Sequence, residues 1–557
     1  LARRLAEVLG VGGKRVSPAD QLSQKRLPFE IDFEGWDLER RIASIEDGHL
    51  RALVRIAVEN RGLAEHSTPG TQEILGAAGD GDDPGMMRGE WRQALEEGGI
   101  GTLGPVSLKD FGIRVEEPAL IIFQEWMQHR AEAHLCDVEE PDTVVEAGVD
   151  LFIDLDRVAT RFETQPPKLT RTGRIPKRTV EALRALVCLP RIEGHLEGDL
   201  CEWVIGVAQS LGLVEFFANQ VRVHDERLRV WRKIDLLRQM EMILERFLVE
   251  KRGGRWSFHQ EALRHILLDT LRREKPEDWI CFDSLVGLAV STYLLELEER
   301  EVREALRQRR EEDFARERLN SSFHRLGTDL TYWIVHRFLP LGACELGMRD
   351  GKLTTFRLTA LGKDVLGNSA LRRKGASKSR ILVNPDFEII LFSEDLRGMR
   401  LELEMSRFGE RISAERVRRY RITRDSMRHG IRSGLSLAEI RKILAAACEH
   451  PLPETVLVAL KDWGKDLDWL IARPALVVTG LRQVRARELC ELLDRERCAH
   501  RLCEDGTVVI LDETLPSDAG AGSPRILERL REEGWLVREP PRKPLEFRLE
   551  EGASRRA

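Results

Sequence analysis

The sequence has no apolar run of about 18 residues, so it contains no segment long enough to cross a membrane as a helix. It also shows no secretory leader pattern at its start. Its nine cysteines are odd in number and scattered over 557 residues, which excludes a dense disulfide scaffold. We therefore expect a cytoplasmic location. The first residue is Leu1 rather than Met, which is compatible with a fragment of a longer protein.

A nucleotide-binding phosphate loop is also absent from the sequence. Such a loop needs Gly-Lys followed by Ser or Thr, because backbone N–H groups cradle the phosphates and the hydroxyl holds Mg²⁺. Each Gly-Lys pair here, at 13–14, 351–352, 362–363 and 464–465, is followed by a different residue. The stretch Val508 to Thr514 imitates an acidic Walker B strand, which we interpret as an ordinary strand. We predict no catalytic residue, and a helicase motor only if it lies outside this chain.

Two groups of residues resemble metal sites but lack the required pattern. Pro385–Glu388 resembles a nuclease motif, yet the lysine that this chemistry needs is missing after Glu388. Structural zinc sites favour close cysteine pairs. The second group is more widely spaced and consists of Cys490, Cys498, His500 and Cys503. We predict core cysteines there, and no metal or cofactor.

Charge is unevenly distributed along the chain. The net charge is −6, so nucleic-acid binding would depend on local basic stretches. Such stretches lie at 168–184, 371–380 and 407–432. We call 132–154 the acidic segment, because it has eight acidic residues and no Lys or Arg. Any one of these stretches could equally be a solvated surface.

A unit made of a helix, two short strands and a further helix recurs after Thr170. Its copies lie at 211–231, 246–267 and 341–367. In addition, 278–286 predicts a short strand followed by a helix with Asp283 as its N-cap. Three helices and a hairpin are typical of a winged helix, which often places one helix in the DNA major groove. Many winged helices bind proteins instead, and both alternatives stay open.

The third copy carries the clearest local signals. Asp350-Gly351 predicts a hairpin turn, and Phe356 and Leu358 alternate with polar residues as in a strand. Thr359 and Gly367 stand where a helix N-cap and a C-terminal glycine belong.

Later segments predict two further domains. Ile381–Phe392 predicts a strand interrupted by Pro-Asp, and Ser436–Glu439 is a capping box before an amphipathic helix. From Ala475 to Glu539 the order strand, helix, strand, strand, helix, strand predicts a small ferredoxin-like domain.

Several of these segments together resemble a known family. LTRTGRIPKRTV resembles the hinge motif of XPB-like helicase-associated proteins, and further segments resemble their winged-helix elements and the N-terminal domain of XPB-type helicases. The matching segments are 169–180, 279–286, 356–367, 381–392 and 420–463, within roughly 149–539. The resemblance implies a DNA-associated accessory region without the motor. Its arrangement is similar to the XPB-anchoring subunit of transcription factor IIH.

We therefore predict a mainly α protein with small β elements, an α+β fold of about three to five units. The predicted units are an N-terminal helical region at 1–147, a hinge with winged-helix-like units at 148–270, a winged-helix-like unit at 271–370, an XPB-type helicase-associated domain at 371–474, a small α+β domain at 475–539 and a tail at 540–557.

The predicted function is a non-catalytic, helicase-associated DNA-binding factor in repair or transcription. The nucleic-acid-binding residues fall into two sets. We call Lys168, Arg171, Arg174, Lys177 and Arg178 the hinge cations, and Arg418, Arg419, Arg421 and Arg424 the strand cations. Tyr420, between the strand cations, either stacks on a base or lies in the core.

Two alternatives compete with DNA binding. The hinge cations could pack on the acidic segment of the same chain. The whole chain could also be a scaffold that docks and regulates an XPB-like ATPase in trans without binding DNA.

Overall fold

The computed structural model describes most of residues 37–511, together with Glu532. The undescribed positions within this span are 78–83, 106–107, 109–110, 117, 191–199, 218, 251–257, 275–277, 299, 305–306, 308–320, 368–380, 393–395, 414–416, 466–475, 480 and 496–497. The described residues form the predicted α+β fold, mainly helical with small and mostly antiparallel sheets. The chain divides into two compact units, Leu1–Gly464 and Lys465–Ala557.

The helices are numbered in chain order. They are α1 Leu38–Ala43, α2 Gly48–Glu59, α3 Thr71–Ala77, α4 Pro84–Glu97, α5 Gln124–Ala133, α6 Asp150–Thr164, α7 Lys177–Arg184, α8 Leu200–Ser210, α9 Asp225–Lys233, α10 Leu236–Leu248, α11 Phe258–Glu274, α12 Phe282–Glu296, α13 Phe323–Trp333, α14 Ala360–Val365, α15 Leu396–Met405, α16 Arg424–Arg432, α17 Leu437–Ala447, α18 Glu454–Lys465 and α19 Gln483–Arg495. A π-helical turn, Ile334–Phe338, continues α13. Within the described residues, no helix is both long and apolar enough to span a membrane.

The strands are short. They are β1 Leu63–Glu65, β2 Gly101–Gly104, β3 Ile113–Arg114, β4 Ala119–Ile122, β5 Thr143–Glu146, β6 Val214–Phe217, β7 Gln220–Val223, β8 Ile280–Cys281, β9 Ser321–Ser322, β10 Cys344–Arg349, β11 Lys352–Leu358, β12 Ile381–Val383, β13 Glu388–Leu391, β14 Glu410–Ser413, β15 Arg418–Arg421, β16 Leu476–Val478, β17 Ala499–Leu502 and β18 Val508–Leu511.

The N-terminal part contains a sheet that the sequence did not reveal. Its strand order is β1-β4-β2, and α2 packs over it with a buried apolar stripe. Helix α2 begins after Asp47, whose carboxylate accepts hydrogen bonds from the N–H groups of His49 and Leu50 at 2.8 and 2.9 Å. The free N–H groups of a first helical turn explain this preference for Asp.

The hairpin β10–β11 confirms the local predictions for the third repeat. Asp350 and Gly351 form its turn with positive φ angles of 49° and 72°, which a tight hairpin of this hand requires. Phe356 and Leu358 are buried, and the Thr359 hydroxyl accepts from the Gly362 N–H at 2.9 Å. Strands β5 and β8 extend this hairpin into the four-stranded sheet β5-β10-β11-β8.

The predicted cap of α12 is wrong by two residues. Cys281 occupies the N-cap position, and no side chain caps this helix. Asp283 lies in the first turn, where its carboxylate meets the Arg61 guanidinium at 2.9 Å. A carboxylate in the first turn is favourable because of the partial positive charge there.

The other two repeats are described to different extents. The first contains the hairpin β6–β7 followed by α9, as predicted. In the second, the prediction of a strand from Arg246 is wrong, because Arg246–Leu248 are the last residues of α10; α11 begins at Phe258, and residues 251–257 between them lie outside the described residues.

A four-stranded antiparallel sheet with the order β12-β13-β15-β14 opens the last part of the first unit. The predicted capping box before α17 is present, with reciprocal hydrogen bonds between Ser436 and Glu439. Ile440 and Leu444 bury the apolar face of this helix.

The second unit contains an antiparallel sheet with the order β16-β18-β17, and α19 connects β16 to β17. In this sheet β18, the last of the three strands in the chain, lies between β16 and β17. The first three strands of a ferredoxin-like domain have the same order. Cys490 and Cys498 pack against the apolar cluster of this unit. Apart from Glu532, which is helical, the predicted helix at Ser523, the closing strand and the tail lie outside the described residues.

Candidate nucleic-acid interface

The segment that carries the hinge cations forms a tight turn followed by a helix. The Gly173 N–H donates to the Thr170 carbonyl at 2.9 Å, and the Thr170 N–H donates to the Arg174 carbonyl at 2.8 Å. Gly173 has φ 73°, in the left-handed region where a side chain would be strained. Pro176 then precedes α7 with its fixed φ, and Val180 and Leu183 anchor that helix in the core.

Backbone hydrogen bonds fix this turn to the hairpin β6–β7. The Leu169 N–H donates to the Asn219 carbonyl at 2.6 Å, and the Val221 N–H donates to the Pro167 carbonyl at 3.1 Å. Lys168 forms an isolated antiparallel bridge with Gln220. The turn and the hairpin tip therefore form one continuous surface.

All five hinge cations are exposed. None of them forms an ion pair with another described residue, so no carboxylate in the described part of the chain neutralises their charge. Helix α7 has no side-chain cap at its N-terminus, and Lys177 and Arg178 are its first two residues. A helix N-terminus flanked by Lys and Arg suits a phosphate, because both the backbone donors and the charges attract it.

An exposed aromatic residue at the hairpin tip was missed in the sequence. Phe217 is 51% exposed, and the Arg222 guanidinium lies 4.5 Å from its ring centroid. Base stacking on such a ring is typical of single-strand binding proteins. The signal was present in the strand alternation, which turns Phe216 inward and Phe217 outward.

The strand cations do not form a single surface. Arg418 is buried, with its side chain 6% exposed, and it pairs with Glu146 at 2.8 Å and Glu402 at 3.5 Å. Because it is buried, Arg418 is not available to bind nucleic acid. Tyr420 is fully buried and donates to Glu402 at 3.2 Å, so it is a core residue and cannot stack on a base.

The remaining strand cations are exposed, but carboxylates surround two of them. Arg419 lies 3.6 Å from Glu388. Arg421 stands opposite Glu388 on one neighbouring strand and Glu410 on the other. Arg424 is exposed at the start of α16. The basic stretch 371–380 and positions 414–416 of the basic stretch 407–432 lie outside the described residues.

The acidic segment has partners other than the hinge. Asp150 pairs with Arg411 in a bidentate contact whose side chains are only 5% and 8% exposed. Glu146 pairs with Arg418, and Glu139 pairs with Arg349. No described residue of the segment pairs with a hinge cation, so the structure contradicts the proposed packing of the hinge on this segment.

A second buried carboxylate, Asp154, lies one turn further along α6. It accepts from the Cys188 N–H at 2.8 Å and from the Leu189 N–H at 3.1 Å. Burial raises the pKa of Asp154 to about 7, although these two hydrogen bonds act against the shift. Burial likewise raises the pKa of Asp150, and the hydrogen bonds and charge of Arg411 oppose that effect. These carboxylates are structural, because they hold α6 against β14 and the 188–189 backbone.

If these units act as winged helices on DNA, one helix of each must enter the major groove, and the helix before each described hairpin is a candidate. Helix α13 is mostly buried: the Arg61 guanidinium occupies the space beside Gly327, and His324 meets Glu65 at 2.7 Å. Helix α8 has Glu202 as its one charged residue. Neither helix presents a basic face, so the geometry gives no support to insertion in the major groove.

The described residues hold no group of three His, Cys, Asp or Glu side chains placed to bind a metal ion. Comparison of the sequence with curated proteins gives no match. Comparison with family models gives a match to the segment from β12 to β16, which is less than a fifth of the chain. Residues 381–478 match the family described as the helicase conserved C-terminal domain, and this part of the chain is therefore helicase-related.

Proposed function

We propose that this protein is a helicase-associated factor that binds nucleic acid through the hinge surface. We define the hinge surface as the five hinge cations together with Phe217 and Arg222. The observation that carries the proposal is the exposure of the hinge cations, without an ion pair to any described residue, beside the uncapped N-terminus of α7. The helicase-related segment 381–478 of the same chain supports a role beside nucleic acid.

Binding would be mainly to phosphates. Lysine, arginine and helix N–H groups contact the backbone without reading the sequence, and neutralising phosphates releases counterions. We therefore expect weak sequence specificity and a strong dependence on salt. The exposed ring of Phe217 adds a preference for unpaired bases, because a base must leave its stack to lie on the ring.

We propose that the chain itself is non-catalytic. No phosphate loop stands in its sequence, and the hinge surface has no carboxylate or nucleophile placed for chemistry. A motor that acts with it would be supplied by another polypeptide or by residues outside this chain. A place in repair or transcription follows from this proposal and from the XPB-like motifs.

Fluorescence anisotropy with duplex, forked and single-stranded DNA across a salt series tests the proposal. We expect affinity to fall steeply with salt, and forked or single-stranded DNA to bind more tightly than duplex. Absence of binding to all three DNAs at 50 mM salt would contradict the proposal, because the phosphate contribution is largest at low salt.

A second candidate is a scaffold that docks an ATPase through the helicase-related segment. The observation in its favour is the exposed apolar set on and beside the sheet β12-β13-β15-β14, in which Leu382, Phe392 and Ile412 are each 46–47% exposed. Pull-down of a purified XPB-type ATPase tests this function. Loss of capture on Leu382→Asp and Ile412→Asp would support it, and unchanged capture would exclude this face.

A further inference from the structure

A third chain segment extends the hairpin β6–β7 on its β7 side. Lys168 forms an antiparallel bridge with Gln220, and one backbone hydrogen bond flanks that bridge on each side. Gln220 is also the cross-strand partner of Phe217 in the hairpin. The side chains of Lys168, Gln220 and Phe217 therefore belong to one row that crosses three neighbouring segments.

This row lies on the exposed face of the hairpin. Residues that stand directly opposite one another in antiparallel segments direct their side chains to the same face. Lys168 and Phe217 are exposed and Gln220 is half-buried, whereas the adjacent residues Pro167 and Val221 are buried on the opposite face. An ammonium group, a carboxamide and an aromatic ring thus share one surface.

The carboxamide of Gln220 is not used by the fold. It forms no hydrogen bond with any residue that the structure describes, although the backbone of Gln220 is paired on both sides. A carboxamide carries an N–H donor beside a carbonyl acceptor, so it recognises a partner that presents an acceptor beside a donor. Nucleobases present such pairs at their edges, and Phe217 supplies a ring on which a base stacks.

The next row of the same face adds a second cation. The Arg222 guanidinium lies 4.5 Å from the centroid of the Phe217 ring. Its cross-strand partner is Glu215, but that carboxylate meets His224 Nε2 at 2.8 Å, and the described residues give Arg222 no ion pair. Two cations therefore flank the Gln220 amide, one across the bridge and the other two residues along β7.

We infer that this surface binds one unpaired adenine of a DNA single strand, and that Gln220 is the residue that recognises the base. The adenine stacks on the Phe217 ring and pairs at its edge with the Gln220 amide, and Lys168 and Arg222 contact the phosphates next to it. The inference rests on the proposed function and deepens it, because it adds a base preference to a surface that otherwise contacts phosphates.

Adenine suits the amide better than the other bases do. Its N6 amino group lies beside N7 on one edge and beside N1 on the other, so both edges present a donor next to an acceptor. Guanine presents two acceptors, N7 and O6, on the edge that faces the major groove in a duplex. In a duplex the neighbouring base pairs also cover the face of the base, so stacking on Phe217 requires an unpaired base.

Fluorescence anisotropy with two single-stranded oligonucleotides of equal length tests the inference at low salt. One contains only thymine, and the other has one central adenine in the same thymine sequence, so the two carry the same phosphates. We expect the adenine oligonucleotide to bind about fivefold more tightly, at the lower end of what a bidentate contact with a base provides. Equal affinities would overturn the inference and leave the phosphate-binding proposal standing. Absence of binding to both would contradict the inference and the proposed function together.

Substitution of Gln220 distinguishes base recognition from the attraction of phosphates. Gln220→Leu removes both hydrogen-bonding groups, so the two oligonucleotides should bind with equal affinity. The slope of log K against log salt should stay that of the parent protein, because no cation is changed. Gln483→Leu, at an exposed position of α19 in the second unit, is the matched control and should keep the fivefold difference. A difference that survives Gln220→Leu would refute the role of Gln220.

A change of base preference provides a readout that a purely structural role of Gln220 would not move. A carboxylate only accepts hydrogen bonds, and its usual partner among the bases is the amino group of cytosine. We therefore expect Gln220→Glu to bind an oligonucleotide with one central cytosine at least as tightly as the one with adenine, whereas the parent protein prefers adenine. An unchanged preference for adenine in Gln220→Glu would contradict the assignment.

Discussion

The hinge cations and the strand cations are similar clusters of basic residues in the sequence, but they differ in burial and in ion pairing in the structure. The hinge cations lie on a turn and the first turn of α7, with no acidic partner among the described residues. The strand cations lie on and beside β15, where alternation sends Arg418 into the core and Arg419 outward. The acidic segment then neutralises Arg418 and nearby Arg411. Charge in a sequence therefore becomes charge on a surface only where the fold supplies no counter-ion.

The largest expected effect comes from breaking the Asp150–Arg411 pair. Arg411→Leu leaves a buried carboxylate without its counter-charge, so the free energy of unfolding of the first unit should fall by about 3–5 kcal/mol in urea titrations. The double variant Arg411→Leu/Asp150→Leu should recover most of that loss. A loss below about 0.5 kcal/mol, the value expected for the exposed control Arg419→Ala, would show that the pair is not structural.

The pH dependence of stability tests whether the acidic segment, unlike the exposed hinge, is part of the folded core. The pKa of Asp154 is about 7 in the folded state against 3.8 for its ordinary value, so the fold favours the protonated acid. The stability that this protonation provides is complete below about pH 4 and is lost as the pH rises through about 7, a loss of roughly 2.5 kcal/mol between pH 5 and pH 8. Asp154→Asn should flatten this decline in urea titrations at the two pH values. An unchanged decline in the variant would assign the effect to other groups.

A substitution of Phe217 distinguishes the contribution of base stacking to DNA binding from the contribution of the hinge cations. Phe217→Ala should weaken single-stranded DNA binding by about 1–3 kcal/mol, because one base loses its aromatic support, and should change duplex binding less. Phe392→Ala, which removes another exposed ring, is the matched control. Equal losses for duplex and single-stranded DNA, measured by anisotropy, would exclude stacking on Phe217.

The exposed strand cations should have the smallest effect on DNA binding. Arg419 and Arg421 stand beside Glu388 and Glu410, so their fields are partly cancelled. We expect Arg419→Gln/Arg421→Gln to reduce the slope of log K against log salt by less than about one unit. A reduction of about two units would place both residues at the interface.

Local signals were readable from the sequence, because short-range physics sets them. The Asp350-Gly351 turn, the Thr359 cap and the capping box at Ser436 were all predicted and are present. The ion-pair partners of the acidic segment were not predictable, because Asp150 and Arg411 are 261 residues apart and meet only in the folded chain. The burial of α13 depends in the same way on the distant Arg61 and Glu65.

The central claim is that the hinge cations contact phosphates. Its most direct test is the salt dependence of DNA binding by Arg171→Gln/Arg174→Gln/Arg178→Gln, against the exposed control Arg441→Gln/Lys442→Gln/Lys461→Gln of equal charge change. We predict that the hinge variant reduces the slope of log K against log salt by about three units, since each phosphate contact contributes about 0.9, and that the control leaves it nearly unchanged. Equal slopes for the hinge variant and the parent protein would contradict the account.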